Sequence, residues 1–231
     1  MKRLSLVLAL VLVLSLSAGV FAGNWIDGTY EGYSDAGDRS FQYAKVYIEN
    51  GEIIAVTLRE FTDRYLEKDP NAYSWEPFGQ ALRTMGDRFV QAQGTDVDVV
   101  TGATHSCQGW IQAVERALVK ASPDKPAKKY FDGTFMGRSH YDGQRGYYKV
   151  VWVTIKDDKV VDYKVQRVLP DGSIQDAAAY NWPLEAARES YKKALIALDE
   201  PGYVDTISGA TGLTYMSNIA VRDALDAASI K

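Results

Sequence analysis

Asp98-Val99-Val100-Thr101-Gly102-Ala103-Thr104 occurs a second time, 107 residues further on, as Asp205-Thr206-Ile207-Ser208-Gly209-Ala210-Thr211. Both copies fit D-x-x-[S/T]-G-A-T, and each runs into a segment with apolar residues at helical spacing. The pattern has a physical content. Two extended residues lead to a small-residue turn, where glycine permits a backbone conformation that a side chain opposes. The threonine hydroxyl then stands just ahead of a helix N-terminus, where free N–H groups and the helix dipole favour an anion. Ser106 and Ser217 are the expected N-caps. Two readings stand at this point: a strand–turn–helix junction that needs only a compact turn, or a seat for a phosphate group.

The element belongs to a wider duplication. Asp27-Gly28-Thr29-Tyr30-x-Gly32-x-Ser34 recurs as Asp132-Gly133-Thr134-Phe135-x-Gly137-x-Ser139, and from Val46 onward the pairs Val46/Val153, Tyr73/Tyr180, Trp75/Trp182 and Leu118/Leu225 keep the 107-residue offset. Each repeat predicts a hairpin: Lys45 to Ile48 and Ile53 to Leu58 around Asn50-Gly51, and Val150 to Ile155 and Val160 to Val165 around Asp157-Asp158. A polar loop with Tyr-x-Trp follows, then a helix (about Pro77 to Gln91, and Pro183 to Leu198), the motif, and a last helix. Ile111, Val114, Leu118 and Ala121 share one face of that helix in the first repeat, and Val221, Ala224, Leu225 and Ala228 do so in the second. The expected class is α+β: two homologous small domains, 23–121 and 131–231, each an antiparallel hairpin-based sheet packed with helices. Residues 122–130, with two prolines and three lysines in the run Ala121 to Lys129, read as a short stiff linker.

The first residues read as an export signal, 1–22. Lys2 and Arg3 precede an uncharged stretch from Leu4 to Leu16, and Val20-Phe21-Ala22 offers a cleavage site. The expected location is periplasmic or extracellular; the alternative is an N-terminal membrane anchor. A net charge of -4 argues against nucleic acid. The single cysteine, Cys107, allows no internal disulfide and reads as a small buried hydrophobe rather than a reactive thiol. His105 and His140 occupy unmatched positions, so no duplicated metal site is expected. No acid–base pair, nucleophile elbow or Walker loop occurs, and no catalytic residue is nominated. The 12% aromatic content fits either packing or the stacking of planar ligands.

On these residues the chain resembles the FMN-binding domains related to the NqrC and RnfG subunits of ion-pumping redox complexes. The D-x-x-[S/T]-G-A-T element is similar to that family's flavinylation motif, and Asp-Gly-Thr-Tyr/Phe-x-Gly resembles the family's opening. The resemblance implies an FMN transferase that joins FMN, as a phosphoester, to the motif's last threonine: Thr104 and Thr211 here. Asp98 and Asp205 match the leading acid, while Thr101-Gly102-Ala103 and Ser208-Gly209-Ala210 match the core. The motif departs from the family after the acceptor, with His105-Ser106 and Gly212-Leu213-Thr214. Tyr73, Trp75, Tyr180 and Trp182 are candidates to stack the isoalloxazine ring, with Trp110 and Tyr215 as weaker ones. The implied function is an extracytoplasmic carrier of electrons with two FMN groups, exchanging with membrane or extracellular redox partners; a reductase that acts directly on a small acceptor stays open beside it. The alternative is a module that binds FMN or another phosphate ligand reversibly.

Overall fold

The computed structural model describes residues 25–178 and 182–231, so the expected export segment 1–22 and Tyr180 lie outside the described residues. The elements run β1 (Gly28–Tyr33), β2 (Ser40–Glu49), β3 (Glu52–Thr62), α1 (Glu76–Ala92) and α2 (Thr104–Ala121). They continue as β4 (Gly133–Arg138), β5 (Tyr148–Lys156), β6 (Lys159–Val168), α3 (Leu184–Ile196) and α4 (Thr211–Ala228). Two three-stranded antiparallel sheets, ordered β1-β2-β3 and β4-β5-β6, make the protein α+β as expected.

The two halves share their irregularities as well as their order. The β2–β3 turn places Asn50 at φ 54° and Gly51 at φ 73°, the left-handed pair of a type I′ hairpin. Asp157 (φ 50°) and Asp158 (φ 59°) take the same turn without glycine. Their carboxylates compensate locally: Asp158 accepts the N–H groups of Lys129 and Tyr130, and Asp157 accepts Lys128 Nζ at 2.9 Å. The pairing register shifts at Tyr47/Ile48 in one sheet and at Thr154/Ile155 in the other, which are equivalent positions.

β1 and β4 are strands that the hairpin reading did not predict. The glycine spacing that they share has a packing cause. A Cβ on Gly32 would lie 1.9 Å from the Ala113 carbonyl oxygen of α2, and one on Gly137 would lie 2.1 Å from that of Ala220 in α4. Helix and sheet therefore touch backbone to backbone there.

The helix starts correct one expectation. Ala103 and Ala210 hold the N-cap positions, so Ser106 and Ser217 lie inside their helices. The motif turn closes so tightly that each helix begins at the motif threonine itself. Ser217 is buried and accepts a hydrogen bond from Lys149 Nζ at 2.6 Å.

Each sheet has two buried faces. One packs on its own helices, through Val46, Phe89, Trp110 and Val114 in the first unit and Val153, Tyr191, Val221 and Leu225 in the second. The other packs on the opposite sheet through Phe41, Met136, Tyr148, Val150, Trp152 and Val168, with Phe61, Tyr65 and Tyr33 alongside. Phe41 stacks on Phe61 at 5.1 Å and meets Tyr65 at 5.0 Å. Much of the aromatic content is thus packing between sheets. Hydrogen bonds stitch the same seam: Ala36 N–H donates to Thr134 O at 2.8 Å, Tyr148 Oη to Arg64 O at 2.8 Å, and Arg64 Nε to Gly172 O at 2.7 Å. Cys107 is fully buried, as expected. No described helix is long and apolar enough to cross a membrane.

Candidate functional site

The motif folds into the same turn twice. Ala103 N–H donates to Val100 O at 3.0 Å across Gly102, whose φ is +86°, and Ala210 N–H donates to Ile207 O at 2.9 Å across Gly209, whose φ is +73°. A positive φ only at the third residue defines a type II turn, which calls for glycine there. One further bond fastens each turn to its helix. Val100 N–H donates to Cys107 Sγ at 3.4 Å, and Ile207 N–H donates to Thr214 Oγ1 at 3.3 Å.

Thr104 and Thr211 are the first residues of α2 and α4, and both are exposed. Neither helix has a side-chain cap, because alanine stands at both N-caps. Alanine forgoes the ~1 kcal/mol that Ser, Thr or Asp supplies there. The first N–H groups of each helix thus stand beside the threonine hydroxyl with no side-chain cap, the arrangement that suits an anion.

In the first unit the aromatic loop closes on this turn. Trp75 Nε1 donates to Gly102 O at 2.9 Å, and Pro77 packs 3.1 Å from where a Gly102 Cβ would be. Tyr73, Trp75, Phe78, Glu60, Lys68 and Gly102 line a cleft of about 230 Å³. Tyr73 meets Phe78 edge-on at 5.2 Å, while Trp75 leaves 55% of its surface exposed. Sequence reasoning missed Glu60 and Lys68. Glu60 is 1% exposed and ion-paired with Lys68, and its Oε2 has no hydrogen-bond partner. The missed signal was a carboxylate at an inward-facing place, two residues past buried Leu58 on β3. Trp110 is core instead of a ligand contact: it is fully buried, with Nε1 donating to Arg59 O at 2.8 Å.

The second unit keeps this frame and changes its charges. Ser34 Oγ accepts the N–H of Gln42 at 2.8 Å, as Ser139 Oγ accepts that of Lys149 at 2.9 Å. Lys68 N–H donates to Glu60 O at 2.8 Å, as Gln175 N–H donates to Arg167 O at 3.0 Å. Gln42, Glu60 and Lys68 therefore correspond to Lys149, Arg167 and Gln175. Lys149 Nζ reaches Leu213 O at 2.7 Å, two residues past Thr211, and burial pulls its pKa well below the usual lysine range. Arg167 donates to Gln175 Oε1 at 3.0 Å and lies 4.4 Å over the Tyr147 ring.

The remaining nominated residues divide. Thr101 and Ser208 are exposed turn residues beside their acceptors. Asp98 and Asp205 are exposed as well; Asp98 lies off the cleft, its carbonyl accepting from Arg88. Trp182 is exposed, and among the described residues no hydrogen bond joins it to Gly209. Tyr215 is exposed and meets His140 at 6.2 Å. No group of three or more His, Cys, Asp or Glu residues poised for a metal occurs among the described residues.

Comparison with known proteins bears on this geometry. A 97-residue stretch is 38% identical to an uncharacterized protein of Treponema pallidum, covering 42% of this chain and 24% of that protein. The chain thus spans about a quarter of the length of this relative. A crystal structure of a Clostridium perfringens protein aligns over 42% of this chain and 88% of its own, at 22% identity and a TM-score of 0.37, too loose a likeness to carry an argument. Residues 40–119 match the family model described as FMN-binding domain, and that match, which holds the first turn, Thr104 and every lining residue of the cleft named above, supports an FMN-binding domain in the first unit.

Proposed function

We propose that the chain carries two FMN groups, one joined by a phosphoester to Thr104 and one to Thr211, and moves electrons between a membrane donor and an acceptor outside the cytoplasm. One observation carries this reading: two exposed threonines, each the first residue of an uncapped helix, each set there by the same type II turn. The repeated architecture supports a tandem pair of domains, 23–121 and 131–231, joined by the 122–130 linker. Export through residues 1–22 and maturation by an FMN transferase complete the proposal.

The described residues fit the group. The open N–H groups of α2 suit its phosphate, Tyr73 and Trp75 offer ring faces, and the orphaned Glu60 Oε2 suits an N–H donor of the ring. When bound, the flavin supplies the redox chemistry. The chain holds, orients and partly shields it. Attachment forms a bond from threonine Oγ1 to the FMN phosphorus, and the hydroxyl proton departs with the leaving group of the transferase's activated donor. The exposed Asp98 and Asp205 suit recognition by that transferase better than contact with phosphate, which their charge would repel.

Intact mass after co-expression with an FMN transferase tests the reading. Two FMN additions are expected, one lost in Thr104→Val and the other in Thr211→Val. No addition, with the transferase active on a known acceptor, sinks covalent attachment. Yellow colour that leaves the denatured protein on filtration would establish reversible binding instead.

A further inference from the structure

Behind its last helix the second unit gathers hydrogen-bond donors where the first is mostly apolar. The sheet registers match Val46/Val56 to Val153/Tyr163, and the glycine contacts at Ala113 and Ala220 set α2 and α4 at the same offset. Trp110 therefore corresponds to Ser217, Val56 to Tyr163, and Gln42 to Lys149. In the first unit the indole N–H of Trp110 is spent on Arg59 O. In the second, the donors outnumber their acceptors. Lys149 Nζ donates to Leu213 O and Ser217 Oγ, which leaves the third N–H of an ammonium unspent. Ser217, having accepted from Lys149, keeps its own proton to give. The Tyr163 hydroxyl and Arg188 Nη2 are buried without a hydrogen-bond partner. Burial raises the Tyr163 pKa while Ser217 and Arg188 pull the other way, so the phenol keeps its proton and both neighbours lie close. Burial also lowers the Lys149 pKa, and the guanidiniums of Arg167, Arg188 and Arg145 press it in the same sense. Orphaned donors of this kind each cost ~1–3 kcal/mol unless something accepts from them.

We propose that the second unit binds a halide ion among Lys149, Tyr163, Arg188 and Ser217. A buried water brings protons of its own to a place already rich in donors. An anion brings only acceptor capacity, and its bonds from charged donors are the stronger kind. Lys149, Tyr163 and Ser217 are 2%, 4% and 0% exposed, so the space between them suits a single-atom ion rather than a phosphate. This seat is separate from the one at Thr211, which is exposed. Tyr163 and Arg188 also line a cleft of about 380 Å³ between β6 and α3, which gives the ion a way in. The carboxylates on that cleft each have a basic partner: Asp162 has Lys192, Glu189 has Lys193, and Glu185 takes Arg188 Nη1, leaving Nη2 to the ion.

Urea unfolding of the full chain, with chloride exchanged for gluconate at constant ionic strength, tests this. Above its dissociation constant, each tenfold rise in chloride should raise the folding equilibrium constant about tenfold. Tyr163→Phe removes one donor and keeps the ring, and it should flatten that response. Lys149→Met should do the same, and the tyrosine variant remains a test if the lysine variant does not fold. Crystals soaked in bromide should show an anomalous peak among Lys149, Tyr163, Arg188 and Ser217. A chloride response that is absent, or that either folded variant retains in full, overturns the proposal. So do bromide peaks confined to the protein surface.

Discussion

The backbone N–H of Val100 points at the sulfur of Cys107, 3.4 Å away, and Thr214 serves Ile207 in the same way at 3.3 Å. The cysteine is thus the acceptor that ties the motif turn to its helix. Cys107→Thr should fold with stability within ~1 kcal/mol of the parent, since the second unit already uses threonine there. Cys107→Ala leaves a buried N–H without a partner and should cost ~1–3 kcal/mol. Urea unfolding of the two variants checks both values. Burial also pushes the thiol pKa up, so a thiol reagent should label Cys107 only after unfolding.

Arg116 clasps the two units together. Its guanidinium donates to Tyr33 O at 2.7 Å and Asp35 Oδ1 at 2.8 Å in the first unit, and to Asp132 O at 3.0 Å at the entry to the second. It also lies 4.6 Å over the ring of Phe135. Arg116→Met should destabilise the chain by ~2–4 kcal/mol, because three acceptors lose a charged donor. Limited proteolysis should then cut faster within 122–130. Unchanged cleavage and unfolding would show that the sheet seam alone holds the units.

Lys120 is buried on α2, and burial lowers its pKa to about 8. Its unfolded value is near 10.5. Between the two, the unfolded chain binds more protons than the folded one, so stability rises with pH from about 8 toward 10. Lys149 acts in the same direction, and above pH 10 the buried phenols of Tyr65 and Tyr191, raised by desolvation, oppose it. Urea midpoints at pH 7 and 9.5 should show the parent gaining up to ~3 kcal/mol. Lys120→Met should gain less.

Trp75 is exposed yet hydrogen-bonded to the motif turn. Trp75→Phe keeps an aromatic face and loses the 2.9 Å bond to Gly102 O, so it should cost ~0.5–1.5 kcal/mol in unfolding experiments. On the flavin-bearing chain, Trp75→Ala should raise flavin fluorescence, because stacked indole quenches it. No change in fluorescence would place the ring away from Trp75.

The sequence made the repeated unit legible because its punctuation is chemical. Asn50-Gly51 admits one tight hairpin turn, and Gly102 and Gly209 admit one turn into a helix. The first strand of each sheet was harder to read, since Gly32 and Gly137 look like loop residues until a helix backbone is laid against them. At the site, the resemblance nominated Thr104, and the repeated Tyr-x-Trp loop nominated Trp75. Glu60, Arg167 and Lys149 were not nominated, because a charged residue at a place that strand alternation marks as apolar is a signal without an address until the sheet register pairs Gln42 with Glu60 and Lys149 with Arg167. Trp110 misled for the opposite reason: it is close to Thr104 in sequence, but helical geometry turns it inward.

The seam of Phe41, Tyr65, Tyr148 and Trp152 also ties the two sheets to one another's presence. Either sheet alone would display its half of that aromatic surface to water. Because both sheets belong to one chain, the two sides of the seam can carry unequal residues such as Glu60 and Arg167, which the two identical sides of a homodimer cannot.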